Sequence, residues 1–204
     1  MKPAEFRHIL SSLDLSDRPH EWACRQQMVE LLDSCPNCFR RDNFPAHFTG
    51  SAFVVSADGA RGLLHHHRKL DLWLQFGGHC DGEEDVLSAA QREAYEESGI
   101  SGLVVASARP FDLDIHEIPA LGNEPAHFHY DVRYLLIAPE HAEACTSPES
   151  KELRWFTGEE MKDWNLDSGL QRLIERWQAL LIRRSGSGWW LVAGGWWLAG
   201  LAKI

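Results

Sequence analysis

Residues 77–100 read GGHCDGEEDVLSAAQREAYEESGI, and the reading of the whole chain turns on them. Val86 to Ser98 has the texture of a helix that stops at Gly99, a residue suited to the left-handed position past a helix end. Placed at about 100° per residue, Arg92, Glu93, Glu96 and Glu97 fall within one arc of about 140°, whereas Leu87, Ala90 and Ala94 lie on another side and can pack on a sheet. Glu93 and Glu97 are i,i+4 neighbours, about 5–6 Å apart at Cβ, and like charges at that spacing are unfavourable on a free helix. Between Asp81 and Glu97 seven acids stand against one base, Arg92, in a chain whose formal net charge is −10. A solvated helix face is the ordinary explanation of an acidic run. Three glutamates on one stripe become favourable, however, when hard divalent cations sit among them. Mg²⁺ and Mn²⁺ bind one or two carboxylates and complete their shells with water and phosphate oxygens. Gly77-Gly78 lets backbone approach a metal or an anion closely. The segment reads as a metal clamp.

Outward from the clamp, the texture is β-rich. Short runs at 48–55, 62–66 and 72–76 precede it, with a turn at Asp58-Gly59, and the third run leads into Gly77-Gly78. Further strands are expected at 103–108, 111–118, 127–138 and 152–156. A last helix is expected over Ser168–Arg183, where Leu170, Leu173, Ile174, Trp177, Leu180 and Leu181 recur at helical spacing. Residues 1–45 read as a helical amino-terminal extension, with helices over Pro3–Leu13 and Asp17–Leu32. In the second of these, Trp22, Met28, Leu31 and Leu32 are the apolar positions. Strands on either side of a central helix, with a terminal helix behind, predict an α/β fold in which a mixed sheet lies between helices.

Gly78, five residues, Glu84, seven residues, then Arg92-Glu93-Ala94-x-Glu96-Glu97-x-Gly99-Ile100 fits the Nudix box GX5EX7REUXEEXGU, with U apolar, at every fixed position. The chain resembles the Nudix (MutT-like) hydrolases. The resemblance implies a Nudix domain over 46–183 with the α/β/α sandwich of that family. It also implies cleavage of the diphosphate bond in a nucleoside diphosphate linked to another moiety, an ADP-ribose-like compound or a nucleoside triphosphate, with Mg²⁺ or Mn²⁺. Carried over position by position, Glu93, Glu96 and Glu97 are the implied metal ligands, joined by the Gly78 carbonyl. Glu84 and Arg92 are the implied ion pair holding the loop to the helix. The general base is implied either in the box, as Glu93 or Glu96, or in a loop outside it, where Glu149 and Glu152 are available. Two other activities fit the same fold: a nucleotide-sensing module without turnover, and an isopentenyl-diphosphate-isomerase-like enzyme. The latter needs a reactive cysteine, and Cys80 is beside the box, although its surroundings do not match that subfamily's motif. Phe76 precedes the glycine pair where many relatives carry proline.

Beside the box, His127-Phe-His129-Tyr-Asp131-Val-Arg133 alternates with period two. On a strand, His127, His129, Asp131 and Arg133 share one face. That face is either a substrate-binding wall, with Arg133 reaching a phosphate or ribose and the histidines binding oxygens or a metal, or an internally paired Asp131–Arg133 network. His79 and His116 are further candidates for the wall. Alternation sends His66 away from His65 and His67, which argues against three-histidine ligation by that run alone. Cys35-Pro-Asn-Cys38 has zinc-knuckle spacing but no second pair to complete it; Cys24 and His47 are the residues available for recruitment.

Composition bounds the remaining possibilities. With 204 residues, 44% hydrophobic and 25% charged, the chain can bury a core without staples. Its acidity disfavours nucleic acid as a partner; the small nucleotide-type substrate is what the Nudix resemblance implies. Five cysteines and the absence of an apolar amino-terminal run place it by expectation in the cytoplasm. Residues 184–204 read as a Ser-Gly linker and a Trp-rich tail. The apolar run Trp189–Ala202 would be about 21 Å long as a helix against a bilayer core of about 30 Å. Interfacial membrane contact is therefore the minor reading of the tail beside packing on the domain or a partner. The amino-terminal helices offer a surface for a homodimer.

Overall fold

The computed structural model describes residues 1–162, 164 and 166–186; the Trp-rich run at 189–202 lies outside them. The chain packs as two compact units. One comprises Met1–Ala52, Gly77–Glu93 and Ala108–Tyr134; the other comprises Phe53–Phe76, Ala94–Ser107 and the described residues from Leu135 onward. Three elements run through both: strand β1 (Ala46–Val55), helix α3 (Val86–Ser98) and strand β7 (His127–Ile137).

The first unit begins with α1 (Pro3–Ser11) and α2 (Pro19–Ser34). Proline stands at the start of each, where the missing N–H is no loss. Phe6 and Leu10, one helical turn apart, are fully buried. The Phe6 ring meets Phe48 of β1 edge-on at 5.5 Å, and Phe39 stacks on Phe48 at 5.4 Å. The residues expected as an extension thus complete the core of this unit. On α2 the buried positions are Glu21, Cys24 and Met28, while Trp22 is half exposed. Glu21 accepts the Arg18 guanidinium at 3.3 Å, which makes its burial tolerable.

Strand order in this unit is β4 (Phe76–His79), β1, β7, β6 (Asp112–Ile118). The Phe128 N–H donates to the Pro45 carbonyl, and the Thr49 hydroxyl to Asp131. Both strands advance together, so β1 and β7 are parallel, whereas β6 and β7 are antiparallel. Helix α3 lies on β1 through Val86, Ala89 and Ala90; Ala94 is buried as well, and Leu87 is only half-buried. Gly50 makes the approach close: a Cβ there would stand 2.6 Å from the Val86 carbonyl oxygen.

In the second unit β2 (Arg61–His67) pairs with the end of β1, with β3 (Leu72–Leu74) and with β8 (Ser150–Thr157), all antiparallel. The end of β7 pairs with β5 (Val104–Val105), which is shorter than expected. Helix α4 (Ser168–Gly186) buries Leu170, Leu173, Ile174 and Trp177. Trp177 meets Phe53 edge-on at 5.6 Å and donates its indole N–H to the Gly59 carbonyl. This helix continues past Arg183, so Ser185 and Gly186, expected in a linker, are helical. Parallel and antiparallel pairs together make the expected mixed sheet. Among the described residues no helix is long and apolar enough to cross a membrane.

Candidate active site

Helix α3 spans Val86–Ser98, and Gly99 after it has φ +68°. Glu93, Glu96 and Glu97 therefore share one helical face at i, i+3 and i+4. In the first unit, Arg92 donates to Glu93 Oε1 at 2.5 Å and to the His79 carbonyl at 2.8 Å. The expected Glu84–Arg92 pair is thereby corrected. Arg92 reaches back to the end of β4, and Glu84 stands exposed in the loop before the helix. The Gly78 backbone lies directly against the Glu93 carboxylate: a Cβ at 78 would fall 2.5 Å from Cδ and 2.6 and 2.8 Å from the two oxygens. A cradle that only glycine leaves open, facing a carboxylate, fits a hard cation held by oxygens.

In the second unit Glu96 is exposed and Glu97 is 5% exposed. Glu97 Oε1 is 3.7 Å from His65 Nδ1, which is 2.9 Å from the Ser150 hydroxyl. Burial, with a smaller push from His67, lowers the His65 pKa to about 4. At neutral pH this ring is uncharged, so it brings no full counter-charge to Glu97. The β2 alternation is as expected: His66 turns away, stacks on Trp73 at 5.1 Å and pairs with Asp71 at 2.8 Å.

Glu149 is exposed in the turn before β8; its N–H is 3.3 Å from the Ser147 hydroxyl and its carbonyl accepts the Arg68 N–H. Cys80 is 2% exposed, and burial pushes its thiol pKa up, with Asp131 adding to the shift. A protonated, buried thiol is a poor nucleophile, which weighs against the isomerase-like activity.

The β7 face divides in two. Arg133 is 3% exposed and reaches three carboxylates: Asp131 at 2.7 Å, Asp114 at 2.8 Å and Asp112 at 3.1 Å. Asp131 also accepts the Thr49 and Ser51 hydroxyls at 3.0 and 2.7 Å. Burial lowers the Arg133 pKa, but Asp131, Asp114 and Asp112 outweigh it and the net shift is upward. The expectation that Arg133 reaches a phosphate or ribose is therefore corrected; its donors serve an internal network.

His127 and His129, at the other end of β7, do share a cluster. His47 of β1 joins them, its ring centroid 5.0 Å from His127 and 4.9 Å from His129. His79 of β4 lies 5.0 Å and His116 of β6 5.5 Å from His129. Burial lowers the pKa of three of the rings, His79 to about 4, His129 to about 2, and His47 as well. His47 could be placed here only from the parallel register of β1 and β7. Cys24, its expected fellow recruit, lies instead beside His20 and Asp114, and Cys35 and Cys38 are free thiols.

A family model described as the NUDIX domain matches residues 47–177. Among solved structures, a C. elegans Ap4A hydrolase binary complex is 19% identical, covers 67% of this chain and 98% of that one, and has a TM-score of 0.54. A structure from Jonesia denitrificans, described as of possible asymmetric diadenosine tetraphosphate hydrolases, is 19% identical over 65% of this chain and 92% of that one, with a TM-score of 0.53. A NUDIX-family hydrolase from Clostridium perfringens is 27% identical over 66% and 97%, with a TM-score of 0.49. The first two likenesses establish the fold. No curated protein matches the chain.

Proposed function

This chain belongs to the Nudix family, hydrolases of phosphorus anhydrides, and on that premise we propose that it cleaves the diphosphate bond of a small nucleoside-diphosphate-linked compound. An ADP-ribose-like sugar nucleotide or a nucleoside triphosphate is the proposed substrate, with Mg²⁺ or Mn²⁺ held by Glu93, Glu96, Glu97 and the Gly78 carbonyl. The observation that carries this reading is the fit of the Gly78 backbone against the Glu93 carboxylate, at the junction of loop and helix that the complete box predicts.

When bound, the cation offsets the charge on the anhydride oxygens and makes a coordinated water more acidic. The protein's own part is placement and proton transfer. Arg92 holds Glu93 from one side and the β4 backbone from the other, so it is a positioning residue for that carboxylate. Glu93 and Glu96 are the proposed bases within the box. Glu149, in its exposed turn, is the alternative outside it.

The test is product release from a panel of ADP-ribose, nucleoside triphosphates and Ap4A at graded Mg²⁺ and Mn²⁺, with wild type and Glu97→Gln. Metal-dependent turnover on one substrate class, abolished in the variant, supports the reading. Tight nucleotide binding without any product makes the chain a sensor, and unchanged turnover in Glu97→Gln removes the metal assignment. Glu149→Gln, assayed across pH, separates the two placements of the base.

A further inference from the structure

The imidazole cluster of the first unit has a geometry that hydrogen bonding does not complete. His47, His127 and His129 each offer one ring nitrogen, and the three nitrogens lie within 4.8 Å of one another. His127 Nε2 and His129 Nε2 are 3.3 Å apart. Two nitrogens at about 2.0–2.1 Å from a tetrahedral zinc ion stand about 3.3–3.4 Å from each other, so this spacing is that of two ligands of one ion.

The tautomers agree. His127 Nδ1 is 2.8 Å from the Pro125 carbonyl, and His47 Nδ1 is 3.2 Å from the Asn43 carbonyl. A carbonyl only accepts, so in both rings Nδ1 carries the hydrogen and Nε2 carries the lone pair. Backbone carbonyls behind the distal nitrogen are the usual support of metal-bound histidines. The His47 Nε2 lone pair has no hydrogen-bond partner, and the residue is 1% exposed. A buried acceptor left without a donor calls for an explanation.

We propose that His47, His127 and His129 form a transition-metal site that takes Zn²⁺ through three imidazole nitrogens, with the fourth position open to water or to a substrate oxygen. Its chemistry is unlike that of the α3 carboxylates, because imidazole selects borderline cations where carboxylates select Mg²⁺ and Mn²⁺. The site stands on its own residues and does not depend on the proposed hydrolytic activity. The second group of potential ligands among the described residues, His20, Cys24 and Asp114, makes no such demand. There His20 Nε2 is 2.8 Å from Asp114 and 3.4 Å from the Cys24 sulfur, contacts that hydrogen bonds already explain.

The test uses the full chain, stripped with a chelator and titrated calorimetrically with Zn²⁺ at a saturating Mg²⁺ concentration. X-ray absorption at the zinc edge and the visible spectrum of the Co²⁺ form then report the ligands. One equivalent is expected, with an imidazole-rich shell at about 2.0–2.1 Å and a tetrahedral Co²⁺ spectrum. His47→Gln and His129→Gln are expected to weaken binding by at least the ~10–100-fold that losing a mere supporting residue costs. Their far-ultraviolet circular dichroism in the absence of metal checks that they fold, and the wild-type absorption spectrum stands even if they do not. Less than a tenth of an equivalent of zinc, an oxygen-only shell, or undiminished affinity in folded variants would each overturn the proposal. So would loss of the zinc on Glu93→Gln with all three histidines intact.

Discussion

Replacing Gly78 by alanine isolates the contact on which the proposed metal site rests. The added methyl would stand 2.5 Å from Glu93 Cδ, whereas ordinary van der Waals contact begins at 3.4 Å. Strand or carboxylate must therefore yield by about 0.9 Å, close to the ~1 Å misplacement that costs roughly 10²-fold in rate. The carboxylate cannot swing away alone, since Arg92 binds it at 2.5 Å and is itself held by the His79 carbonyl at 2.8 Å. Because the clash is with the end of a side chain and not with packed backbone, the fold should lose only about 1 kcal/mol, at the low end for overpacking. The expected result is a kcat down about 10²-fold, with Mg²⁺ activation moved to higher concentration and a thermal midpoint lowered by only a few degrees. Initial rates across a Mg²⁺ series, paired with calorimetric melting, measure both. Wild-type turnover at every Mg²⁺ concentration would refute the reasoning.

Arg133→Gln leaves three carboxylates in a buried site without their cation, so urea unfolding should show a loss of about 3–5 kcal/mol. KM of the folded fraction should hold, which a substrate-binding arginine would not allow. Phe6→Ala empties a fully buried position in the aromatic cluster and should destabilise by about 3–5 kcal/mol in the same assay; a neutral result would make residues 1–45 an appendage after all. The fourth prediction concerns pH. His65 is lowered to about 4, below its unfolded value of 6.5, so between these values the unfolded chain binds the extra proton. The stability tied to its neutrality is present above pH 6.5 and is lost as pH falls towards 4, with a slope approaching about 1.4 kcal/mol per pH unit. Urea midpoints from pH 7 to 4 should fall accordingly, and His65→Gln should flatten that fall.

The acidic helix was legible because its information is local. Helix limits, the terminating glycine and the glutamate stripe are all written within 24 residues, and the backbone realises them as read. The alternation of β7 was also legible, but the occupation of its face was not. Arg133 meets partners 19 and 21 positions away, and only the β6·β7 register aligns them. His47 shows the same limit more sharply, since nothing in its own segment points to residues on β7. Amino-terminal helicity could be read from Pro3, Pro19 and the apolar spacing, whereas the burial of Phe6 depends on aromatic partners contributed by β1 and the segment before it. Trp22 misled because a large apolar side chain is read as core, while Glu21 beside it is the buried one. The Glu84–Arg92 pair failed for a geometric reason: a strand-end carbonyl and an adjacent carboxylate lie within reach of the guanidinium, and both are taken.

The parallel β1·β7 pair has a kinetic consequence. Thr49 and Asp131 are 82 positions apart, and closing so long a loop is entropically costly before any contact rewards it. On the ribosome, α1, α2 and β1 emerge well before β7, the strand that pairs with β1, is synthesised. Until then Phe6, Leu10 and Phe48 have no complete core to enter, and the nascent chain presents a greasy, half-built surface to its surroundings. Completion of the sheet around β1 must therefore wait for translation to pass β7, and partly folded chains with unpaired strand edges are the aggregation-prone ones.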